Sequence, residues 1–381
     1  MLQFTEAPDG QALVRRTNLR RALQLIFDNS GSETRAAIAR ETGLTAATAS
    51  SLVAELIADR LVVEVGHAAS TGGKRAMTLA VDASHHLLLV VVLRFGDAHA
   101  WLIALDGAPV YEERLVYGGG DRDREIHAMI ARIGGRFGPR LLAAAVQLPG
   151  ATDGRRVLQS VQLGWTDLPL AEQLTEVLGV PTLLVNDVDA EAVAEMVAGG
   201  TVAGRQLFLH IGIGIGASVT LDGELAPGPV GRVGEIGHVR VVYGADARDC
   251  PCGRSGCLES SASMPAMLGD AFTEDMDAAE LDALVSATDP QRLAEGAVAL
   301  GRVIMMLTAM LDPDEVVLGG AVTGLGEAFL ARVRQETGRA PTGTRVARVR
   351  AAAPGVAAHA GAAQLALGSV LGVRWGSIAV F

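Results

Sequence analysis

The sequence predicts an α/β protein in two parts, a short helical segment that ends in a β-hairpin and a larger body of alternating strands and helices. Apolar residues recur at helical spacing up to about Arg60, two short strand-like runs follow, and from Leu87 apolar strands alternate with helices. With 381 residues, 49% of them hydrophobic, the chain can form two or three domains with substantial cores.

Residues 1–82 have the element order of a winged helix-turn-helix. Helical spacing predicts a first helix at 17–29, a second that Ser32 caps, and a third at 46–60 that Thr45 caps. Gly43 allows a sharp turn between the second and third helices. This order is typical of a DNA-binding domain, although a helix-turn-helix can also serve as a protein-interaction module.

Two strand-like runs complete this first domain. Residues 61–65 and 76–80 are rich in Val, Leu and Ala, and a polar loop at 66–75 joins them. The loop contains Gly72 and Gly73 followed by Lys74 and Arg75. Two cations after flexible glycines are placed to enter a DNA minor groove, and the alternative is a solvated loop.

Residues 83–381 read as two α/β lobes with a cleft between them and a boundary near residue 186. The expected strands fall at 87–93, 100–105, 141–148, 182–185, 207–215 and 315–318. Helices such as 170–178 separate them, and 264–309 is expected to be largely helical.

The charge distribution restricts where nucleic acid could bind. The whole chain has a net charge of −11, but residues 1–82 hold nine Lys or Arg and nine Asp or Glu and are therefore neutral. An acidic body is repelled by phosphates, so any nucleic-acid contact is expected in the N-terminal segment.

Composition also bears on location. The apolar runs 87–93 and 303–311 are too short to span a bilayer, and the start, Met-Leu-Gln-Phe-Thr-Glu, is not a basic-then-apolar leader. Three cysteines, an odd number, argue against an oxidised secreted protein. We therefore expect a cytoplasmic protein with no membrane partner.

The three cysteines lie within eight residues and predict a zinc site. Cys250, Cys252 and Cys257 follow His238, and Cys3His is a standard ligand set for tetrahedral structural zinc. The glycines between Cys252 and Cys257 let the backbone fold tightly enough to point all three sulfurs inward. The alternative is three inert buried thiols beside an unrelated histidine.

This segment and its flanks resemble the ROK family (repressors, open reading frames, kinases). The family signature is Gly-Glu-x-Gly-His followed by Cys-x-Cys-Gly-x-x-Gly-Cys-x-Glu, which here occupies 234–238 and 250–259. The resemblance covers about 84–375. Further matching features are Pro149-Gly150, Asn186-Asp187, 212–217, Asp312-Pro313 and Gly319-Gly320.

The resemblance implies an actin-like, hexokinase-type fold of two lobes with a sugar between them. The N-terminal winged helix-turn-helix is the layout of the family's repressor branch. Matching motifs imply that six residues contact sugar hydroxyls: Gln162, Asn186, Asp187, Glu235, His238 and Glu259. His238 would contact the sugar while ligating zinc, which fixes the orientation of its ring. Taken alone, each carboxylate would more often be a solvated surface residue.

The kinase phosphate motifs are altered, so we expect no catalytic activity. Kinase members carry Asp-x-Gly-Gly-Thr, whereas this chain has Arg94, Asp97 and Ala98 at the positions of the aspartate, second glycine and threonine. Ile213 stands where the family usually keeps threonine. If kinase activity persists, Asp187 is its expected catalytic base. Gly319-Gly320 survive, but a glycine pair after a strand is equally a structural turn.

Gln162 is a departure within the sugar motif. Family members commonly keep asparagine where Gln162 stands, before the tryptophan that is Trp165 here. The extra methylene indicates a ligand other than plain glucose, or weak binding.

The second helix of the helix-turn-helix would enter a DNA major groove with its N-terminal residues towards the base edges. These residues, together with the two wing cations, are Thr45, Ala46, Ala47, Thr48, Ser50, Ser51, Lys74 and Arg75. Their hydroxyls and methyls can contact bases, but none is the strongly specifying arginine–guanine pair.

These observations predict a sugar-responsive transcriptional regulator, most simply a repressor that binds operator DNA as a homodimer or a dimer of dimers. Two alternatives stay open at this point. One is an active ATP-dependent sugar kinase, and the other is a DNA-binding protein that responds to no ligand.

Overall fold

The computed structural model describes residues 10–67, 76–117, 121–199, 204–226, 233–339 and 347–375. The chain divides into two compact units. The first unit combines Met1–Gly200 with Val356–Phe381, and the second is Thr201–Gly355. The boundary between the two units follows residue 200, one helix after the predicted lobe boundary near residue 186. The C-terminal residues belong to the same unit as the N-terminal residues.

The described residues form α-helices and β-strands in alternation after an initial helical segment. The helices are α1 (Gly10–Asp28), α2 (Arg35–Thr42), α3 (Ala46–Ala58), α4 (Arg122–Phe137), α5 (Leu170–Leu178), α6 (Asp187–Gly199), α7 (Glu259–Ala262), α8 (Met264–Leu268), α9 (Ala278–Ala287), α10 (Pro290–Leu311), α11 (Gly326–Thr337) and α12 (Ala358–Leu371). The strands are β1 (Val62–His67), β2 (Met77–Val81), β3 (Leu87–Leu93), β4 (Asp97–Ala104), β5 (Pro109–Val116), β6 (Leu141–Leu148), β7 (Ala151–Thr152), β8 (Val157–Ser160), β9 (Trp165–Leu168), β10 (Thr182–Asn186), β11 (Arg205–Ile211), β12 (Ile215–Leu221), β13 (Glu224–Leu225), β14 (Glu315–Gly319) and β15 (Arg348–Ala351).

Helices α1–α3 and the antiparallel pair β1–β2 form the winged helix-turn-helix. Gly43 ends α2 in the left-handed conformation (φ 72°), which turns the chain sharply into α3. The Thr45 hydroxyl accepts a hydrogen bond from the Thr48 amide at 3.1 Å and caps α3, as predicted. Buried Ile26, Ile38 and Leu56, one from each helix, contribute to the core.

Two details of this domain differ from the sequence prediction. Helix α1 begins at Gly10, before the predicted start at residue 17. Residues 10–16 were missed because they are almost all exposed, so no apolar period marks them as helical. The cap of α2 is Thr34, which accepts from the Ala37 amide at 3.2 Å, whereas the Ser32 hydroxyl donates to the Asn29 carbonyl.

The rest of the first unit is built on a five-stranded sheet in the order β10-β6-β3-β4-β5. Strands β3, β6 and β10 run parallel, and β3, β4 and β5 form an antiparallel meander. A small three-stranded sheet, β7-β8-β9, follows β6. Every residue of β3 is buried, as expected for a strand that is covered on both faces.

The second unit repeats this topology. Its sheet has the order β13-β12-β11-β14-β15, in which β11, β14 and β15 are parallel and β11, β12 and β13 form a meander. The same order of a meander followed by two parallel strands thus occurs twice in one chain. This repetition supports the predicted actin-like, two-lobed α/β architecture.

Helix α10 is long and apolar enough to cross a membrane by length and composition. Its residues Ala299, Leu300, Val303 and Ile304 are nevertheless buried in the core of the second unit. A core helix passes the same test, which explains the apolar character of α10 without a bilayer.

Candidate metal centre and effector site

Four residues of the second unit bring metal-ligating atoms together. One such atom from each of His238, Cys250, Cys252 and Cys257 lies within 4.8 Å of the others. Cys250 Sγ is 3.7 Å from His238 Nδ1, and Cys252 Sγ is 3.6 Å from Cys257 Sγ. Neighbouring ligands in a tetrahedral Cys3His zinc site lie about 3.6–3.8 Å apart. The donor set therefore fits a tetrahedral metal ion.

The backbone of this segment is shaped by close packing at a glycine. A Cβ on Gly256 would lie 1.9 Å from the carbonyl oxygen of Val242, so only glycine fits between the ligands at this point. The Cys250 amide donates to the Arg254 carbonyl at 2.7 Å and closes the loop on the other side. The segment can therefore hold its sulfurs close together.

The three thiols differ in acidity. The backbone N–H and the side chain of Arg254 lower the pKa of Cys252 to about 6. Burial raises the pKa of Cys257 to about 12 and also raises the pKa of Cys250. A cation that binds all three sulfurs must therefore displace protons from Cys250 and Cys257, whose pKa values burial raises.

Glu259, the first residue of α7, lies against the segment that carries His238. Its Oε2 accepts a hydrogen bond from the Ile215 amide at 3.3 Å and lies 3.0 Å from where a Cβ on Gly237 would be. That Cβ would also lie 2.6 Å from the Ile215 carbonyl oxygen. Gly237 is therefore needed for the backbone to approach β12, and Glu259 stays adjacent to the metal cluster. Glu235 is exposed on the same segment.

In the first unit, Asn186 occupies the end of β10 and holds two turns together. Its Nδ2 donates to the Gly150 carbonyl at 2.9 Å, and its Oδ1 accepts from the amides of Val188 and Asp189 at 2.9 and 3.2 Å. Asn186 thus caps α6. Asp187 is half-buried beside it, and its Oδ1 accepts from the Val188 amide at 3.0 Å.

Gln162 is exposed at the tip of the β8–β9 hairpin. Gly150 lies between this hairpin and Asn186. Its carbonyl accepts the hydrogen bond from Asn186, and it packs so closely on the hairpin that a Cβ on Gly150 would lie 2.4 Å from the Gln159 carbonyl oxygen. The structure therefore brings three of the predicted sugar residues, Gln162, Asn186 and Asp187, to connected turns of the first unit. Glu235, His238 and Glu259 belong to the second unit.

The altered phosphate motif between β3 and β4 is a tight turn. The Arg94 amide donates to the Asp97 carbonyl at 2.8 Å, and Phe95 is 75% exposed. The buried Asp97 carboxylate accepts from Arg114 Nε at 2.5 Å. A buried carboxylate that is already paired with a cation stands where the kinase motif has glycine.

The second glycine loop, between β11 and β12, also has a carboxylate beside it. Glu274 Oε1 lies 3.2 Å from where a Cβ on Gly212 would be and 3.5 Å from the Ile213 amide. At the end of β14, a Cβ on Gly319 would lie 2.2 Å from the Phe208 ring, so this glycine is required by packing. A carboxylate thus lies at each phosphate-type loop, Asp97 paired with Arg114 at the first and Glu274 beside Gly212 at the second, where kinase motifs have neutral residues that approach phosphate.

The predicted DNA-contacting residues of α3 lie on one accessible surface. Thr45, Ala46, Ala47, Ser50 and Ser51 are exposed, and Thr48 is half-buried. Ala49, Leu52 and Val53 of the same helix face the core. Lys74 and Arg75 lie outside the described residues.

Sequence reasoning missed two groups near these sites. One is Glu274, which follows no motif and is brought to Gly212 only by the tertiary fold. The other is the pair Arg122 and Asp123 in the first turn of α4, which contacts the hairpin of Gln162. Helix α4 was not predicted from the sequence, so nothing indicated that its first turn would lie near Gln162.

Comparison with known proteins assigns the family. The ROK family pattern matches residues 123–369. This chain belongs to the ROK family. It is similar to the xylose repressor of Caldicellulosiruptor bescii, with 27% identity over 356 residues that cover 86% of this chain and 88% of that protein. It is also similar to the N-acetylmannosamine kinase of Citrobacter koseri, with 35% identity over 54% of this chain and 71% of the kinase.

A solved structure shows the same fold along nearly the whole chain. It is that of a ROK family transcriptional regulator, described as a homologue of the Escherichia coli Mlc protein. The TM-score is 0.77 at 21% identity, with 94% of this chain and 98% of that chain covered. The α/β fold and the arrangement of a helical segment before the ROK domain are thereby confirmed, and the match over 123–369 confirms the family.

Proposed function

We propose that this protein is a transcriptional repressor whose affinity for operator DNA changes when it binds a sugar. The observation that carries the proposal is the combination, in one chain, of a winged helix-turn-helix with an exposed α3 surface and a ROK domain. The similarity to a xylose repressor along 86% of the chain supports it and makes xylose the first effector to examine.

The DNA-binding half of the proposal uses residues of α3 and the wing. In a homodimer, two copies of α3 would present Thr45, Ala46, Ala47, Thr48, Ser50 and Ser51 to successive major grooves of a palindromic operator. Lys74 and Arg75 would bind backbone phosphates or the minor groove. The neutral charge of residues 1–82 is compatible with this role, whereas the acidic remainder of the chain is not.

The effector half uses the six predicted sugar residues. Gln162, Asn186 and Asp187 in the first unit, and Glu235, His238 and Glu259 in the second, would bind sugar hydroxyls, since amides and carboxylates serve several hydroxyls at once. Zinc would be held by His238, Cys250, Cys252 and Cys257, and when bound it would stabilise this segment and fix the imidazole.

A sugar kinase is the competing function, and the similarity to an N-acetylmannosamine kinase favours it. Against it stand the paired, buried Asp97 and the carboxylate of Glu274 at the two phosphate-type loops. Phosphoryl transfer needs charge neutralisation at these positions. We therefore favour a regulator without catalytic activity.

The DNA-binding half is tested with duplexes that the full-length protein selects from a random pool. Ala47→Asp places a carboxylate in the first turn of α3, where the helix dipole tolerates it but DNA phosphates repel it. We expect a loss of operator affinity of about tenfold or more. Gln11→Asp, an equivalent change in the first turn of α1, is the matched control. Equal affinity of Ala47→Asp and the wild type would contradict the proposed DNA surface.

A further inference from the structure

Residues in the first turn of α4 form hydrogen bonds with the hairpin that carries Gln162. Trp165, which is 7% exposed, follows the hairpin tip and donates its indole N–H to Asp123, with Nε1 at 3.1 Å from Oδ1 and 3.0 Å from Oδ2. A hydrogen bond to a carboxylate is about twice as strong as one between neutral groups. Trp165, three residues after Gln162, is thus fixed to α4.

Arg122 holds Leu163, the residue that directly follows Gln162. Its Nη2 donates to the carbonyl of Leu163, and its guanidinium carbon lies 5.2 Å from the centre of the Trp165 ring. The same guanidinium is 3.1 Å from the Asp123 carboxylate. Two consecutive residues of α4 therefore fix the backbone after Gln162 through a hydrogen bond, an ion pair and a cation–π contact.

The near side of the tip is tied to the Asn186 turn. Ser160, which is 1% exposed, donates its hydroxyl to the Pro149 carbonyl at 2.5 Å and accepts from the Leu163 amide at 3.3 Å. The next residue, Gly150, accepts from Asn186 Nδ2. The hairpin tip is thus held from both sides and placed at a fixed position relative to Asn186.

The two residues at the tip, Val161 and Gln162, are exposed to solvent. Val161 is 85% exposed and Gln162 is exposed, although the residues on either side, Ser160 and Leu163, are buried. A strongly exposed valine beside an amide, on a backbone that is fixed on both sides, is suited to a ligand with C–H faces and hydroxyl groups. Fixing the tip in advance lowers the entropic cost of binding.

We infer that Arg122, Asp123 and Trp165 are positioning residues that determine which sugar the Val161–Gln162 tip selects. This inference rests on the proposed sugar response. The three residues act through the hairpin and touch no ligand themselves. The selected ligand is a neutral sugar, since the tip offers an amide and an apolar side chain and no cation.

The test uses full-length protein and dissociation constants for a panel of neutral sugars, measured by calorimetry. Trp165→Phe keeps an aromatic side chain but loses the indole N–H donor together with part of the ring, and Asp123→Ala removes the acceptor. We expect each to change the affinity ratio between the two best sugars by about fivefold or more. The double variant should change the ratio by less than the two single variants combined, because both remove the bond between Trp165 and Asp123.

Arg122→Ala should change the same affinity ratio, and Arg124→Ala is its matched control, since Arg124 is exposed in the same turn of α4. Operator affinity without sugar should stay near wild type in Trp165→Phe, because the winged helix-turn-helix is unchanged. If the wild type binds sugar but Trp165→Phe and Asp123→Ala leave the affinity ratio between the two best sugars unchanged, the inference is wrong and the proposed function still stands. Absence of sugar binding by the wild type would overturn the proposed function as well.

Discussion

The side-chain amide of Gln24 in α1 pairs with the backbone of Arg374 near the end of the chain. Gln24 Nε2 donates to the Arg374 carbonyl and Gln24 Oε1 accepts from the Arg374 amide, both at 2.9 Å. The winged helix-turn-helix is thus bonded to the segment that follows α12. Trp375, 3% exposed, anchors that segment by donating Nε1–H to the Leu105 carbonyl at 2.8 Å.

The same segment leads to the Asn186 turn. Helix α12 packs so closely on α6 that a Cβ on Gly361 would lie 1.8 Å from the Ala190 carbonyl. Helix α6 in turn begins at Asp187 and is capped by Asn186. A continuous path of packed elements therefore runs, within the first unit, from two predicted sugar residues to α1.

We expect Gln24→Met to weaken the response of operator binding to sugar, because it keeps the size of the side chain and removes both bonds to Arg374. The ratio of operator dissociation constants with and without sugar should move towards one by about threefold or more. Fluorescence anisotropy with labelled operator measures this ratio. Gln11→Met in the exposed start of α1 is the control. An equal sugar response in both variants would show that the contact between Gln24 and Arg374 does not carry the response.

Metal removal should destabilise the second unit. We expect about one zinc per chain by elemental analysis, and Cys257→Ser should lose it and lower the melting temperature, because a structural metal contributes directly to folding. Ser255→Ala, a non-ligand in the same loop, should retain the metal. Well-folded protein that contains no zinc would contradict the metal assignment.

Acid should destabilise the first unit through His359. Its ring stacks on Trp101 with centroids 4.2 Å apart, and burial, reinforced by the charge of His99, lowers its pKa from 6.5 to about 4, against a smaller opposing effect of Glu112. The folded-state pKa of His359 is below its unfolded value, so burying the neutral imidazole costs nothing extra above pH 6.5. As the pH falls towards 4, protonation of His359 in the unfolded chain progressively lowers the free energy of unfolding.

His359→Leu should therefore reduce the acid sensitivity of unfolding. Urea titrations near neutral pH and near pH 4 should show a loss of roughly 1–3 kcal/mol in the wild type that is smaller in the variant. His127→Leu on α4 is the control. The same pH dependence in His359→Leu and the wild type would show that other groups are responsible.

The protein should not phosphorylate sugars. With ATP, magnesium and a panel of hexoses and pentoses, we expect ADP release no faster than in the absence of sugar, because carboxylates lie at both phosphate-type loops. Sugar-dependent ADP release that Asp187→Asn abolishes would instead establish the kinase alternative.

Motifs with local geometry could be predicted well from the sequence. The cap at Thr45, the turn at Gly43 and the cluster of His238 with three cysteines each depend on short-range spacing, and the structure has all three in the predicted form. Apolar runs likewise predicted the central strands, because a buried strand is a short-range pattern. The run at 207–215, however, consists of β11, a turn and the start of β12.

Contacts between distant segments could not be predicted. Nothing near Gly212 in the sequence indicates that Glu274 lies beside it, and nothing near Gln24 indicates Arg374. The exposed start of α1 was missed because a helix without an apolar face leaves no period to detect. The pairing of Trp165 with Asp123 likewise depends on how α4 packs against the small sheet.

The most direct test of the account is whether sugar and operator DNA change each other's affinity. Full-length protein is titrated onto labelled operator with and without each sugar, xylose first, and the sugar is then titrated onto protein with and without operator. We predict that at least one sugar changes operator affinity by about fivefold or more, and that operator changes the affinity for that sugar by the same factor. Sugar binding that leaves operator affinity unchanged, or no sugar binding at all, would contradict the account.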